Sequence, residues 1–382
     1  MHTPDALEAR PPAAAMVVDD DPGINRLLQV RLRNLGYTVT SATNGEEALA
    51  ALERSTPDLM LLDVSMPGVG GLEVLDEVRA RRLDVAVVMT TAFGSERVAI
   101  EALRRGADDY LRKPFEPDEF RAVIERTAGQ LYLRRQNRAL RARLEAELRQ
   151  AGDIQANLLP DAPPTVPGYQ IVGWCQPARA VGGDFYDWLP QPDGRLSLTL
   201  GDVMGKGMPA ALLMTTARAA LRAVAVDRPP AASIRAVAQA LATDLERARS
   251  FITLFHAQLT PETGEVVYVD AGHGLACVRR RDRTIEMLDS HCLPLGVAED
   301  SDGVTEGRVT LLPGDTLLVY SDGVLDAHRD HAPSPAEAIR TLVSTTTAGE
   351  IAARLAGRAR SAAPLEDDLT FVLVQREEPA AP

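Results

Sequence analysis

The chain has 382 residues, 45% of them apolar, and a formal net charge of −13. That length suggests two or three domains with sizeable cores. The acidic balance argues against a surface coated for nucleic acid, and no run of about 18 apolar residues offers a membrane span. Cys175, Cys277 and Cys292 are scattered and form no CxxC pair, so neither a disulfide framework nor a zinc site is indicated. Met1 to Arg10 is polar and Pro11-Pro12 interrupts any continuation, so no secretory leader is read and a cytosolic (cytoplasmic) protein is expected.

Residues 13–125 read as a first domain. The apolar run to Val18 ends in Asp19-Asp20-Asp21-Pro22, and a helical pattern from Ile24 to Leu35 closes at Gly36. Tyr37 to Ser41 alternates as a strand, and Asn44 is placed to cap a helix over Gly45 to Arg54. Leu59 to Leu62 is a second buried strand ending in Asp63; helix, strand (Val85 to Thr90), helix and strand (Tyr110 to Arg112) come next. Strict β/α alternation implies a doubly wound parallel sheet, with ligands at the carboxyl ends of its strands. Asp19, Asp20, Asp63, Thr91 and Lys113 all fall there, and three carboxylates, a hydroxyl and an ammonium suit Mg²⁺ and a phosphoryl group. Asp21 reads as a helix cap.

Val17-Val18-Asp19-Asp20, Leu62 to Gly68, Thr90-Thr91-Ala92 and Lys113-Pro114-Phe115 give this segment its resemblance to a response-regulator receiver domain, a flavodoxin-like fold. The resemblance implies that Asp63 accepts a phosphoryl group from a histidine kinase, that Asp19 and Asp20 hold Mg²⁺ together with Asp63, that Lys113 neutralises the phosphoryl charge and that Thr91 donates to a phosphoryl oxygen. Tyr110 stands at the position of the family's rotameric aromatic switch; the plain alternative is a core aromatic.

Residues 117–159 read as a long helical linker, opened by Pro117 and free of proline until Pro160. Phe120, Ile124, Thr127 and Leu131 give one apolar stripe, and Leu140, Leu144, Leu148 and Ala151 another, with a phase slip near Leu133 and Asn137. Pairing of two such helices as a coiled-coil homodimer competes with a solvated helix packed on its own domains. The eight arginines between Arg121 and Arg149 read as a solvated face rather than a nucleic-acid patch.

Residues 160–378 read as strands, then helices, then strands: an α+β layout with sheets packed inside helical layers. Leu196 to Leu200 alternates as a half-buried strand and delivers Asp202 just past its end. Asp184, flanked by Gly182 and Gly183, and the downstream Asp322, Asp367 and Asp368 complete a set of carboxylates at strand edges or turns. No His or Cys accompanies them at ligand spacing, and all-oxygen coordination selects Mg²⁺ or Mn²⁺ over zinc. Two such ions activate water and stabilise phosphoryl transfer together.

Asn157 to Pro160, Val181 to Asp187, Leu200 to Gly207, Asp270 to His273, Leu293 to Gly296, Tyr320 to Val324 and Asp367 to Thr370 resemble, in order, the bacterial PPM-type Ser/Thr phosphatases of the SpoIIE/RsbU kind. The resemblance implies a β-sandwich between helical layers and a pair of Mn²⁺ or Mg²⁺ ions. Asp184, Asp202 and the Val203 carbonyl would bind metal, Asp322 and Asp367 would complete the second metal site, and Asp368 is a supporting second choice. His273-Gly274 replaces the more usual His-Pro. Arg179 and Lys206 are candidates for gripping the substrate phosphate, His273 is a structural residue or an acid, and Asp187 a solvent-facing turn residue or a support for the ligands. Gly182 to Phe185 superficially resembles the loop of diguanylate cyclases, but Phe185 sits where that family needs an acidic residue.

The combined expectation is a two-component response regulator whose output is metal-dependent hydrolysis of phosphoserine or phosphothreonine on a partner protein, an anti-sigma-factor antagonist by family resemblance, under control of Asp63 phosphorylation. The helices after Gly207 are the expected switching element. The alternative is a sequestering module with a non-catalytic phosphatase-like domain.

Overall fold

The computed structural model describes residues 13–92, 96–289, 292–297, 303–327, 335–344, 347–361 and 365–378; the polar stretch 1–12 lies outside them. The chain divides into two compact units, Met1–Arg143 and Leu144–Pro382.

The first unit alternates β1 (Ala14–Val18), α1 (Pro22–Asn34), β2 (Thr38–Ala42), α2 (Gly45–Arg54), β3 (Leu59–Asp63), α3 (Gly71–Ala80), β4 (Ala86–Thr91), α4 (Glu96–Arg104) and β5 (Asp109–Arg112), and leads into α5 (Pro117–Ala156). The strands are parallel, in the order β2-β1-β3-β4-β5. The order reverses between β1 and β3, so a crevice opens at their carboxyl ends. Central strands covered on both faces are apolar throughout, as Leu59-Met60-Leu61-Leu62 is, each under 2% exposed. The helix starts obey local chemistry: Asp21 Oδ1 accepts the Gly23 and Ile24 N–H groups, and Asn44 accepts that of Glu47.

The first four turns of α5 bury Phe120, Val123, Ile124, Thr127 and Leu131 against the sheet. Its arginines are not all a solvated face. Arg134 pairs with Asp108 at 2.8 Å, and Arg135 with Asp84 at 2.7 Å and with Asp58. These carboxylates stand just before β5, β4 and β3, at the end of the sheet opposite Asp63. Leu133, Leu140 and Leu144 remain exposed.

The second unit holds β6 (Tyr169–Gln176), β7 (Phe185–Pro190), β8 (Leu196–Val203), α6 (Met208–Val224), α7 (Pro230–Ala248), β9 (Ile252–Thr260), β10 (Glu265–Ala271), β11 (Ala276–Arg279), β12 (Ile285–Met287), β13 (Gly307–Thr310), β14 (Thr316–Tyr320), α8 (Asp322–Asp326), α9 (Pro335–Leu342), α10 (Ala348–Ser361) and β15 (Leu369–Arg376). Two antiparallel sheets, β13-β10-β9-β8-β7 and β12-β11-β14-β15-β6, enclose a core that includes Leu198, Leu200, Phe255 and Tyr268 from one and Ile171, Val278, Val319 and Val372 from the other. Helices α6 and α7 cover the outer face of the first sheet, and α8 to α10 that of the second.

Two local expectations are corrected. Leu196 to Leu200 is buried throughout, not half-buried, because a helical layer covers its second face. Ser197 and Thr199 are satisfied there by the Gln191 amide at 2.8 Å and the His256 ring at 2.8 Å. Asp187 lies on β7, not in a turn, and is 6% exposed; its carboxylate meets Arg218 at 3.1 Å and Arg222 at 2.8 Å, both on α6.

Gly201, the residue before Asp202, fits because a Cβ would stand 2.5 Å from the Phe185 ring and 2.8 Å from Leu254. Gly201→Ala is expected to lower stability by about 1–3 kcal/mol, the usual cost of overpacking, seen as a lower urea midpoint at unchanged slope.

Candidate functional site

At the receiver crevice, Asp19 and Asp63 are buried and Asp20 is exposed. Among the described residues this trio is the group of potential ligands whose donor atoms all lie within 4.8 Å of one another. Lys113 Nζ bridges Asp19 Oδ2 at 2.7 Å and Asp63 Oδ1 at 3.0 Å. Burial pushes the Asp63 carboxyl up against the opposing pull of Lys113. Burial depresses the Lys113 ammonium, but its hydrogen bonds to Asp19 and Asp63 outweigh that and raise it. Thr90, which the sequence did not single out, brings its hydroxyl to 3.4 Å from Asp63 Oδ1. Thr91 is the buried last residue of β4, and its carbonyl accepts the Lys113 N–H at 2.7 Å. Tyr110 is no core aromatic: on β5 it is 42% exposed.

In the second unit, the strand ends bring Asp184, Asp202, Asp322, Asp367 and Asp368 into one electrostatically interacting cluster. Asp184, just before β7, is 4% exposed, and its Oδ2 has no hydrogen-bond partner. Burial first, then the Asp202 and Asp368 charges, push its carboxyl well up. Asp202 is pushed up to about 6 by burial and by Asp322. Asp322 begins α8 and is raised by burial and by Asp367.

Asp368 holds the loop rather than facing outward. Its Oδ1 accepts the Ala178 N–H at 2.7 Å, and its Oδ2 accepts those of Gly183 at 2.7 Å and Asp184 at 3.4 Å. Two glycines make this approach: a Cβ on Gly182 would meet Asp368 Oδ2 at 2.4 Å, and one on Gly323 would meet the Asp368 carbonyl at 2.1 Å. Gly183 similarly brings its backbone against the Val203 carbonyl, 2.7 Å from where a Cβ would stand.

His273 is buried. Burial lowers its pKa to about 4, so it is neutral near pH 7, and its Nε2–H donates to the Tyr320 carbonyl at 3.0 Å, two residues before Asp322. Arg179 is exposed, while Lys206 Nζ lies 2.9 Å from Asp367 Oδ2. Gln155, in the last turn of α5, also went unnoticed in the sequence. Its side-chain amide donates to the Gly182 carbonyl at 2.8 Å and accepts the Gly182 N–H at 3.0 Å. A Cβ on Gly152, one turn earlier, would stand 2.1 Å from the Ala180 carbonyl. The helix end and the site loop are therefore in direct contact.

Comparison with known proteins finds a family match for each part of the chain. The response regulator receiver domain family matches residues 15–125, and the Stage II sporulation protein E (SpoIIE) family matches residues 192–377. Asp202, Asp322, Asp367 and Asp368 fall inside the second match, and Asp184 precedes it. The chain therefore joins a response-regulator receiver domain to a SpoIIE-type domain of the PPM phosphatase family. Among curated relatives, the "Probable transcriptional regulator ycf27" of Guillardia theta is 39% identical over 144 residues, which is 38% of this chain and 53% of that protein. The DNA-binding transcriptional regulator NtrC of Salmonella typhimurium is 44% identical over 110 residues, 29% of this chain and 24% of that protein. The chain thus spans about half or less of the length of these relatives. Among solved structures, the SiaA-PP2C domain of Pseudomonas aeruginosa is 24% identical with a TM-score of 0.49, covering 63% of this chain and 99% of that one. The RsbU and RsbW domains of Rv1364c from Mycobacterium tuberculosis are 26% identical with a TM-score of 0.48, covering 57% and 62%.

Asp368→Ala would strand the buried Gly183 N–H, at about 1–3 kcal/mol, and remove the partner of the half-buried Ala178 N–H. Asp368→Asn keeps one acceptor oxygen and is expected to lose about half as much. Thermal unfolding of both variants checks the order.

Proposed function

We propose that this chain is a two-component output enzyme that hydrolyses phosphoserine or phosphothreonine on a partner protein. Its receiver would span residues 13–125, its linker 117–159 and its phosphatase domain 160–378. The observation that carries the catalytic reading is the buried, unpartnered Asp184 Oδ2 beside Asp202. A buried carboxylate oxygen without a donor is costly unless the group holds a proton or a cation meets it. Asp184, Asp202, the Val203 carbonyl, Asp322 and Asp367 would hold two Mn²⁺ or Mg²⁺ ions, with Asp368 fixing the Gly183-Asp184 backbone. When bound, such ions activate water and neutralise phosphoryl oxygens. The partner class suggested by family resemblance is an anti-sigma-factor antagonist.

In the receiver, Asp63 would take a phosphoryl group from a histidine kinase, Asp19 and Asp20 would hold Mg²⁺, and Lys113 and the Thr91 hydroxyl would meet the phosphoryl oxygens. The contact of Gln155 with Gly182 supports control through α5, because a displaced helix end moves the loop that carries Asp184. This route complements the expected one through α6, which begins directly after the Asp202 loop.

Mn²⁺-dependent hydrolysis of p-nitrophenyl phosphate is the direct test. Losing one buried ligand in Asp202→Ala should cost at least the ~100-fold seen for weaker, indirect perturbations of metal sites. A chain that binds phosphorylated partners without any such turnover would be a sequestering module instead. For control, acetyl phosphate should change the rate of the wild-type chain and leave Asp63→Ala unmoved; identical responses would remove the regulatory link.

A further inference from the structure

The chain has 41 basic residues, and only two are lysines, Lys113 and Lys206. Arginine makes the other ion pairs in the described residues, from Arg79–Asp108 on the receiver to Arg280–Asp315 on the sandwich. Each lysine instead stands in one of the two acidic clusters. Lys113 bridges Asp19 and Asp63, and Lys206 Nζ meets Asp367 Oδ2 at 2.9 Å and the Glu366 carbonyl at 2.6 Å.

The chemistry of the two cations differs. A guanidinium is a planar fork that grips a carboxylate through two parallel bonds. An ammonium is a compact, strongly hydrated point charge on a flexible stem, and gives up a carboxylate more readily. The backbone around Lys206 is shaped to present it. Gly205 (φ +107°) and Gly207 (φ +78°) flank it in left-handed conformations, which suit glycine. The turn they make sends the side chain across to the loop before β15, 160 residues further along. The Lys206 charge also acts on Asp322, the partner of Asp367 in the proposed second metal site.

We propose that Lys206 is the exchangeable counter-charge of the Asp322–Asp367 pair. Its ammonium and a divalent cation compete for the Asp367 carboxylate, so the side chain at position 206 sets how tightly that ion is held. The inference rests on the metal reading given above. It also ties ion uptake to α6, because releasing Lys206 frees the Gly205–Gly207 turn one residue before the helix begins.

The test is calorimetric titration of the full chain with Mn²⁺, comparing wild type, Lys206→Gln and Lys206→Arg. All are made in an Asp20→Asn background that weakens ion uptake by the receiver, so wild type here means that Lys206 is kept, and Asp202→Ala is the control for the phosphatase site. Lys206 is 40% exposed, so its effect is screened and modest. Lys206→Gln should bind Mn²⁺ about two- to five-fold more tightly than wild type. Lys206→Arg should bind more weakly by a similar factor, because its fork holds Asp367 harder. The spread should narrow between 50 mM and 500 mM salt, roughly a threefold change in screening length. A purely structural lysine predicts the reverse for glutamine: weaker binding and a lower unfolding temperature in Lys206→Gln, with Lys206→Arg restoring both. That result, or equal affinities in all three proteins, overturns the inference. If wild type takes up no more Mn²⁺ than the Asp202→Ala control, the metal reading itself fails and the inference with it.

Discussion

One buried carboxylate holds the second unit's site together. Asp368 lies in the turn before β15, yet its oxygens accept N–H groups from Ala178, Gly183 and Asp184. A buried anion satisfied by backbone donors is among the stronger short-range restraints available to a protein. It pins the loop between β6 and β7 to the end of the opposite strand, and it works only because Gly182 and Gly323 leave room for the approach. Ser321 completes the knot, donating its hydroxyl to the Asp368 carbonyl at 3.1 Å and accepting the Thr370 N–H at 2.9 Å. The positions of Asp184, Asp322 and Asp367 derive from this arrangement, since each lies within a residue of one of its members.

The long helix α5 is anchored by different chemistry at its two ends. Within the first unit, apolar burial ends at Leu131, and Arg134 and Arg135 take over by closing onto Asp108, Asp84 and Asp58. Within the second unit, the reciprocal amide bonds of Gln155 and the bare backbone at Gly152 fix the last turn to the site loop. Between these anchors the helix exposes Leu140 and Leu144.

The receiver was nearly all legible in the sequence. Parallel strands buried on both faces announce themselves as apolar runs, and the residues that matter sit at their ends, where strand and helix signals change over. The caps at Asp21 and Asn44 come from local chemistry alone. The sandwich was legible in its strands and acidic turns but not in its polar interior. Strand β7 was obscured by Asp187, a carboxylate whose burial depends on Arg218 and Arg222 in a helix far along the chain. The polar face of β8 reads as solvent-exposed because the partners of Ser197 and Thr199, Gln191 and His256, are tertiary. Gln155 carries no sequence signal, and Thr90 was legible only as part of the Thr90-Thr91-Ala92 motif; the three-dimensional neighbour reveals their contacts.

The carboxylate cluster is a place where the fold works against itself. Asp202 titrates near 6 in the folded protein, above the ordinary aspartate value of about 3.9 that the unfolded chain retains. Asp184 is pushed well up in the same direction, by burial and by the Asp202 charge. Between the two values the unfolded chain has already lost the proton while the folded one keeps it. Ionisation therefore removes stability as pH rises through that window. Near neutral pH, above the Asp202 value, the cost of ionising Asp202 is present. Lys206 supplies positive charge at the exposed edge, beside Asp367, while the buried Asp184 Oδ2 has no hydrogen-bond partner among the described residues. A cation that met these oxygens would stabilise the folded unit to an extent set by its affinity and its free concentration.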